Sequence, residues 1–292
     1  RCVTLAASLR AERPLGRRAP TADALGGAHV TLLFEKPSLR TRSTFEIAVR
    51  ELGGDVILPE GGVALGGREA LADVARNLER WVKAVVVRTF AQSRLVEFAR
   101  AAPRLHVINA LTDDEHPCQA LADVLTLRDR FGRLDGRTIA YVGDGNNVAR
   151  SLAHACVMLG ADVHVASPEG YELSDAVVRE IEALAARQAR VRRFRDPVEA
   201  VRGASAVYTD VWTSMGQEAE AAERRRIFAD YQVNASLMAE ARPDALFMHC
   251  LPAHRGEEVT GEVMESAASV VFDQAENRLH TQKALLVMLL AD

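Results

Sequence analysis

The sequence predicts an α/β protein of two domains, each a parallel sheet flanked by helices. Three observations predict it. Short β-prone apolar runs alternate with amphipathic segments, a polar glycine-bounded break at Gly132–Gly136 interrupts the alternation, and polar groups stand at the carboxyl ends of the predicted strands. Such alternation needs crossover helices covering both faces of a parallel sheet. A chain of 292 residues that is 48% hydrophobic can build two cores of ordinary size.

The elements follow in order. Val30–Phe34 is a strand and Pro37 breaks it; Ser38 then caps a helix whose apolar positions Phe45, Ala48, Val49 and Leu52 recur at helical spacing until Gly53-Gly54 ends it. Leu71, Val74, Ala75, Leu78 and Trp81 mark a helix over Glu69–Val82, and Ala84–Val87 is a buried strand ending at Arg88. Leu95–Ala102 is a helix, Leu105–Asn109 a strand, and Pro117–Arg130 a helix with proline in its first turn. Beyond the break come a strand at Thr138–Val142, a helix at Asn147–Leu159 stopped by Gly160, and strands at Asp162–Ala166, Ala204–Thr209, Ala245–His249 and Ser269–Phe272. A last helix, about His280–Leu290, either closes the second domain or returns to the first.

Composition narrows the function classes. The net charge of −4 gives no broad basic field for nucleic acid. No apolar run approaches the roughly 20 residues that span a bilayer, and the cytoplasm is the expected compartment. Cys2, Cys118, Cys156 and Cys250 are widely spaced without a C-x-x-C pair, so free thiols are expected rather than disulfides or zinc.

Ligands of open α/β sheets bind beyond the carboxyl ends of the strands. There the densest chemistry is Ser38-Leu39-Arg40-Thr41-Arg42, two guanidinium groups and two hydroxyls in the first turn of a helix. Cationic side chains conflict with the positive end of the helix dipole, and a bound phosphate removes the conflict; a solvated basic turn is the alternative. Gly143-Asp144-Gly145-Asn146-Asn147 follows a strand but carries Val148 at the third glycine position, which disfavours a dinucleotide and leaves Asn147 to meet a small polar ligand or simply to suit the turn.

His116-Pro117-Cys118-Gln119 places an imidazole before a helix start, where a lowered pKa keeps it neutral, and a carboxamide in the first turn; a capping histidine is the plain alternative. Asp210 to Glu218 supplies an acid, Ser214 and free backbone groups, which suit an amino-acid zwitterion if the segment is not merely a surface loop. His249 and Cys250, adjacent on a strand, are expected on opposite faces and so give no zinc ligand set.

Seven ordered blocks then carry a resemblance: FEKPSLRTRSTFE from Phe34, VRTF from Val87, HPCQALAD from His116, GDGNN from Gly143, DVWTSMGQE from Asp210, HCLPAHRGEE from His249 and DQAENRLHTQKALL from Asp273. In these the chain resembles the transcarbamylases, the SMG and HCLP blocks matching the ornithine branch. The resemblance implies a first, carbamoyl phosphate-binding domain over residues 1–132 joined by a final helix of about 278–292, and an ornithine-binding domain over 133–277. It implies that Ser38, Leu39, Arg40, Thr41 and Arg42 bind the phosphate, that Arg88, His116 and Gln119 bind the carbamoyl end with Arg278 nearby, and that Cys250 and Leu251 lie beside the reacting amine. Asn147, Asp210, Ser214 and Met215 would hold ornithine's α-amino and carboxylate groups.

The implied catalytic residues are Thr41, Arg88, His116, Asp210 and Cys250, with no metal or organic cofactor. The implied assembly is a homotrimer or a multiple of trimers, with sites shared between subunits. One departure stands out. Gly61-Gly62-Val63-Ala64 is small and apolar where many relatives carry a polar side chain that reaches a neighbour's site. Acylated ornithines, putrescine and aspartate are the competing acceptors; the first would waste Asp210 and the second has no carboxylate for the SMG loop.

Overall fold

The structure, a computed structural model, describes residues 1–59, 67, 69–214 and 216–291. They form two compact units, residues 1–125 with 276–292, and residues 126–275. The elements of the first unit are α1 (Cys2–Glu12), β1 (His29–Phe34), α2 (Leu39–Glu51), β2 (Asp55–Ile57), α3 (Leu71–Trp81), β3 (Ala84–Arg88), α4 (Gln92–Ala101), β4 (His106–Leu111) and the start of α5 (Pro117–Phe131). Its sheet is parallel throughout, in the order β2-β1-β3-β4.

Strand alternation assigns each face. Val30, Leu32, Ala84 and Val86 pack with Phe45, Ala48 and Val49 of α2 and with Leu52 at its C-cap, the four apolar positions read from the sequence and each of them fully buried. Leu33, Val85 and Val87 turn the other way, onto Leu71, Val74 and Ala75 of α3 and Leu95 and Phe98 of α4. Trp81 departs from the expected apolar face and stands 66% exposed at the last residue of α3.

The second unit holds the rest of α5, then β5 (Thr138–Val142), α6 (Asn147–Met158), β6 (Asp162–Ala166), α7 (Asp175–Glu182), β7 (Val191–Phe194), α8 (Pro197–Val201), β8 (Ala206–Thr209), α9 (Ala221–Phe228), α10 (Ala235–Ala239), β9 (Leu246–His249), α11 (Gly261–Met264) and the first turn of α12 (Val271–Leu290). Its parallel sheet runs β7-β6-β5-β8-β9. Ala140, Val142, Val207 and Phe247 pack there against Phe228, Leu237 and Val263.

Two expectations are corrected at the chain's end. Ser269–Phe272 is no strand: Ser269 makes only an isolated bridge to Phe247, and Val271 already begins α12. Glu276-Asn277-Arg278, which precede the helix expected at about His280–Leu290, therefore lie inside a long helix. Asp273 in the first turn of α12 opposes the positive end of the helix dipole, which favours the helix over the local β preference of Val270-Val271-Phe272. Within the first unit, Leu279 and Leu286 of this helix are buried in the core beside α2. All four cysteines are free thiols. Among the described residues no helix is long and apolar enough to cross a membrane.

Candidate active site

Each sheet reverses its strand order at one place, and ligands of such sheets bind at that switch point. In the first unit the reversal falls between β1 and β3, where Phe34 pairs with Arg88. In the second it falls between β5 and β8, where Val142 pairs with Thr209. Of the predicted site residues that the structure describes, residues 38–42 follow β1, Arg88 ends β3, Asn147 follows β5, and Asp210 and Ser214 follow β8; His116 and Gln119 follow β4, Cys250 and Leu251 follow β9, and Arg278 lies in α12.

In the first unit Ser38 is the N-cap of α2, and its hydroxyl accepts from the Thr41 amide at 3.2 Å. That bond satisfies one of the free amides at the helix start. Arg40 is half-buried and Arg42 exposed, and neither makes an ion pair with the described residues. Leu39 is 78% exposed and takes no part in the core. Lys36 anchors the approach to the turn: its Nζ lies 2.6 Å from Asp113 Oδ1 and 4.4 Å from the centre of the Phe90 ring. The register of β3 against β4 shifts between Val87 and Arg88, which re-aims the Arg88 side chain at the strand end.

Thr41, Gln119 and Arg278 come together from α2, α5 and α12. The Arg278 guanidinium donates to Thr41 Oγ1 at 2.8 Å and to Gln119 Oε1 at 2.6 Å. Gln119 Nε2 in turn donates to Asp123 Oδ1 at 2.8 Å. All four side chains are buried. His116 caps the same helix start through its carbonyl, which accepts from the Gln119 amide at 3.0 Å. Its imidazole is held well below its usual pKa, first by burial and then by the positive charges of Arg278 and Arg88. The ring is therefore neutral at pH 7. Its direction of shift is the one expected from the sequence, but burial and two arginines are the causes. Cys118 is inert: burial pushes its thiol up to about 12.

In the second unit the loop after β5 needs its glycine, because a Cβ on Gly145 would lie 2.5 Å from the Leu173 amide nitrogen. Asn146, which the sequence reading passed over, is the N-cap of α6; its Oδ1 accepts from the Val148 and Ala149 amides, and its Nδ2 donates to Asp210 Oδ2 at 3.0 Å. Asn147 is the first residue of α6. Cys250 Sγ donates to the other Asp210 oxygen at 3.0 Å. Ser214 lies in a turn closed by its own amide donating to Gln217 Oε1 at 3.0 Å. Met215 and the Gly61–Ala64 segment lie outside the described residues.

The expectation that His249 and Cys250 face opposite ways is corrected. Ligand-type atoms of Asp210, His249 and Cys250 lie within 4.8 Å of one another, because β9 ends at His249 and Leu251 turns the chain at φ 58°. The His249 ring has no lone pair to give a metal. Its Nδ1 accepts from the Leu251 amide at 2.8 Å, and its Nε2 faces Glu258 Oε1 at 3.2 Å. His249 and Glu258 are fully buried and hold the Leu251 turn in place.

Arg224 was also missed. Only 3% exposed, it pairs with Asp144, donates to the Trp212 carbonyl, and lies 4.8 Å from the centre of the Tyr171 ring. It thereby ties the loop after β5 to the loop after β8. Trp212 is itself buried. The only sequence signal for Arg224 was a basic run in a short helix, which reads as solvated surface.

Comparison with known proteins matches both parts. Residues 1–129 match the aspartate/ornithine carbamoyltransferase carbamoyl-P binding domain, and residues 135–289 the Asp/Orn binding domain of the same family. The ornithine carbamoyltransferase of Acidothermus cellulolyticus is 55% identical over 267 residues, 91% of this chain and 85% of that protein. That of Symbiobacterium thermophilum is 52% identical over 269 residues, 91% of this chain and 86% of that protein. Among solved structures, the ornithine carbamoyltransferase of Pyrococcus furiosus superposes with a TM-score of 0.93 at 47% identity, covering 99% of this chain and 92% of the other. That of Thermus thermophilus gives 0.88 at 44% identity, with 99% and 93% covered.

Proposed function

The chain belongs to the aspartate/ornithine carbamoyltransferase family, and from that premise we propose how its residues divide the reaction. It transfers the carbamoyl group of carbamoyl phosphate to the δ-amino group of L-ornithine, giving L-citrulline and phosphate. The observation that carries the division is the Arg278 guanidinium, which joins Thr41 of the phosphate turn to Gln119 of the HPxQ block. Ser38, Leu39, Arg40, Thr41 and Arg42 take the phosphate through amides, hydroxyls and guanidinium forks. Arg88, neutral His116 and Thr41 donate to the carbamoyl oxygen, where negative charge grows as the amine attacks. Gln119 meets the carbamoyl amino group.

In the second unit Asp210 takes an ammonium group of ornithine, and Asn147, Ser214 and Met215 hold the rest of the α-amino acid end. The δ-amine is protonated at neutral pH and attacks only after losing that proton. Asp210, with Cys250 on one oxygen and Asn146 on the other, is oriented to position it, and Cys250 and Leu251 stand beside the reacting nitrogen. We propose further that the enzyme works in the cytoplasm as a homotrimer or a multiple of trimers, in arginine biosynthesis. No cofactor enters this scheme.

The test is citrulline formation by purified protein from carbamoyl phosphate, with ornithine set against N-acetylornithine, putrescine and aspartate. Ornithine is the preferred acceptor by at least about 10²-fold in kcat/KM. Preference for another acceptor, or full activity of Arg88→Ala, overturns the reading. Sedimentation equilibrium tests the trimer.

A further inference from the structure

We infer that Asp123 is a positioning residue that makes the enzyme select a carbamoyl over an acetyl group, by fixing which end of the Gln119 amide faces the substrate. The inference rests on the proposed role of Gln119 at the carbamoyl end. Gln119 and Asp123 lie one turn apart on α5, so they share a face of that helix. Gln119 is 1% exposed and Asp123 fully buried, so bulk water does not compete for the bond between them.

An amide has a donor end and an acceptor end, and two neighbours decide how it points. Arg278 carries donors alone, so the Gln119 atom 2.6 Å from its guanidinium is the carbonyl oxygen. The amide nitrogen then faces Asp123, whose carboxyl oxygen accepts at 2.8 Å. A carbonyl oxygen has two lone pairs, and Arg278 uses one. Gln119 therefore retains one acceptor lone pair and one amide N–H, and the orientation set by its two neighbours decides where each points. Turned over, the same side chain would place its amino group where that oxygen stands.

That difference matters for one discrimination in particular. Carbamoyl phosphate ends in an amino group with two N–H donors, while acetyl phosphate ends in a methyl group of nearly the same size. Shape separates the two poorly, but a fixed buried acceptor separates them well, because a methyl group leaves it unpaired. Asp123 touches neither substrate in this scheme. It acts through Gln119.

The experiment measures the ratio of the acetyl phosphate inhibition constant to the carbamoyl phosphate KM. It uses the full-length enzyme and Asp123→Leu, Asp123→Ser and Asp123→Asn. Leucine has no acceptor and serine is too short to reach Gln119, so both lower the ratio by about tenfold or more; asparagine keeps an acceptor oxygen and stays within about threefold of the wild type. A role confined to helix packing would lower thermal stability in all three and leave the ratio unchanged. A folded leucine or serine variant with the wild-type ratio overturns the inference, as does an asparagine variant that loses as much as leucine. Should the leucine variant fail to fold, the smaller serine supplies the reading. Wild-type enzyme that makes no citrulline would instead overturn the proposed function, so the two failures are distinct.

Discussion

The Cys250 thiol donates to one carboxylate oxygen of Asp210 while the Asn146 amide donates to the other, both at 3.0 Å. Two donors hold the carboxylate in one rotamer before any amine arrives. Replacing Cys250 with alanine removes one of them and the polarisable group beside it. Turnover of Cys250→Ala should fall about 10²-fold and that of Asp210→Asn about 10³-fold, the range expected when a positioned proton-handling group is lost. Steady-state citrulline assays check this, and a Cys250→Ala kcat within about threefold of wild type contradicts it.

Arg278 supplies two parallel donors to two different acceptors, a task that depends on the fork of a guanidinium. Lysine keeps the charge but offers one centre. Arg278→Lys should therefore lower kcat/KM for carbamoyl phosphate by about 10²-fold while keeping the fold, a difference of about 3 kcal/mol in transition-state binding. Circular dichroism and initial-rate kinetics report the two separately. Near-normal kinetics in the lysine variant would show that charge alone suffices.

Burial raises the Asp144 carboxyl from 3.8 to about 6, Arg224 pulls it down in part, and Asp210 and Glu220 push it up. The folded protein thus keeps a proton that the unfolded chain has already released. The stability from this group is complete below about pH 4 and declines as pH rises towards 6. Asp144→Asn does not titrate. The melting temperature of wild type minus that of the variant should decrease from pH 4 to pH 6 and then level off. A constant difference across that interval would remove the assignment.

Gly145 is held by space rather than by backbone angle, since the Leu173 amide nitrogen would sit 2.5 Å from an added Cβ. Backbone cannot move aside as a side chain can. Gly145→Ala should cost about 2–3 kcal/mol of unfolding free energy, the upper range for overpacking. It should also raise the ornithine KM, because the displaced loop carries Asn146. Urea denaturation with parallel kinetics measures both. An alanine variant as stable as wild type would mean that the loop relaxes freely.

Legibility of the sequence varied with how local the determining physics was. Helix α2 was plain, because Ser38, Phe45, Ala48, Val49 and Leu52 state its cap and its buried face within 15 residues. The start of α12 was not, because Val270-Val271-Phe272 has the β-branched character of a strand, which Asp273 in the first turn and the burial of Val271 in the second core together outweigh. In the site, Ser38 to Arg42, His116, Asp210 and Cys250 were visible as motifs at strand ends. Asp123, Arg224 and Glu258 were not, since a single charged residue in a helix or loop looks like solvated surface until its buried partner is known. Asn146 and Asn147 could not be separated, because adjacent asparagines differ only once the cap geometry is fixed.

The placement of Arg278 on α12 sets an order of assembly. Thr41 and Gln119 belong to the first part of the chain, yet their shared donor, and the core residues Leu279 and Leu286, come from the segment 276–292, made only after the whole of 126–275. Synthesis proceeds from the N-terminus, so the second unit has every residue it needs before the first does. On the proposed roles of these residues, a nascent chain holds an unfinished phosphate site throughout its growth, and competence to bind carbamoyl phosphate arrives as one of the last events of folding.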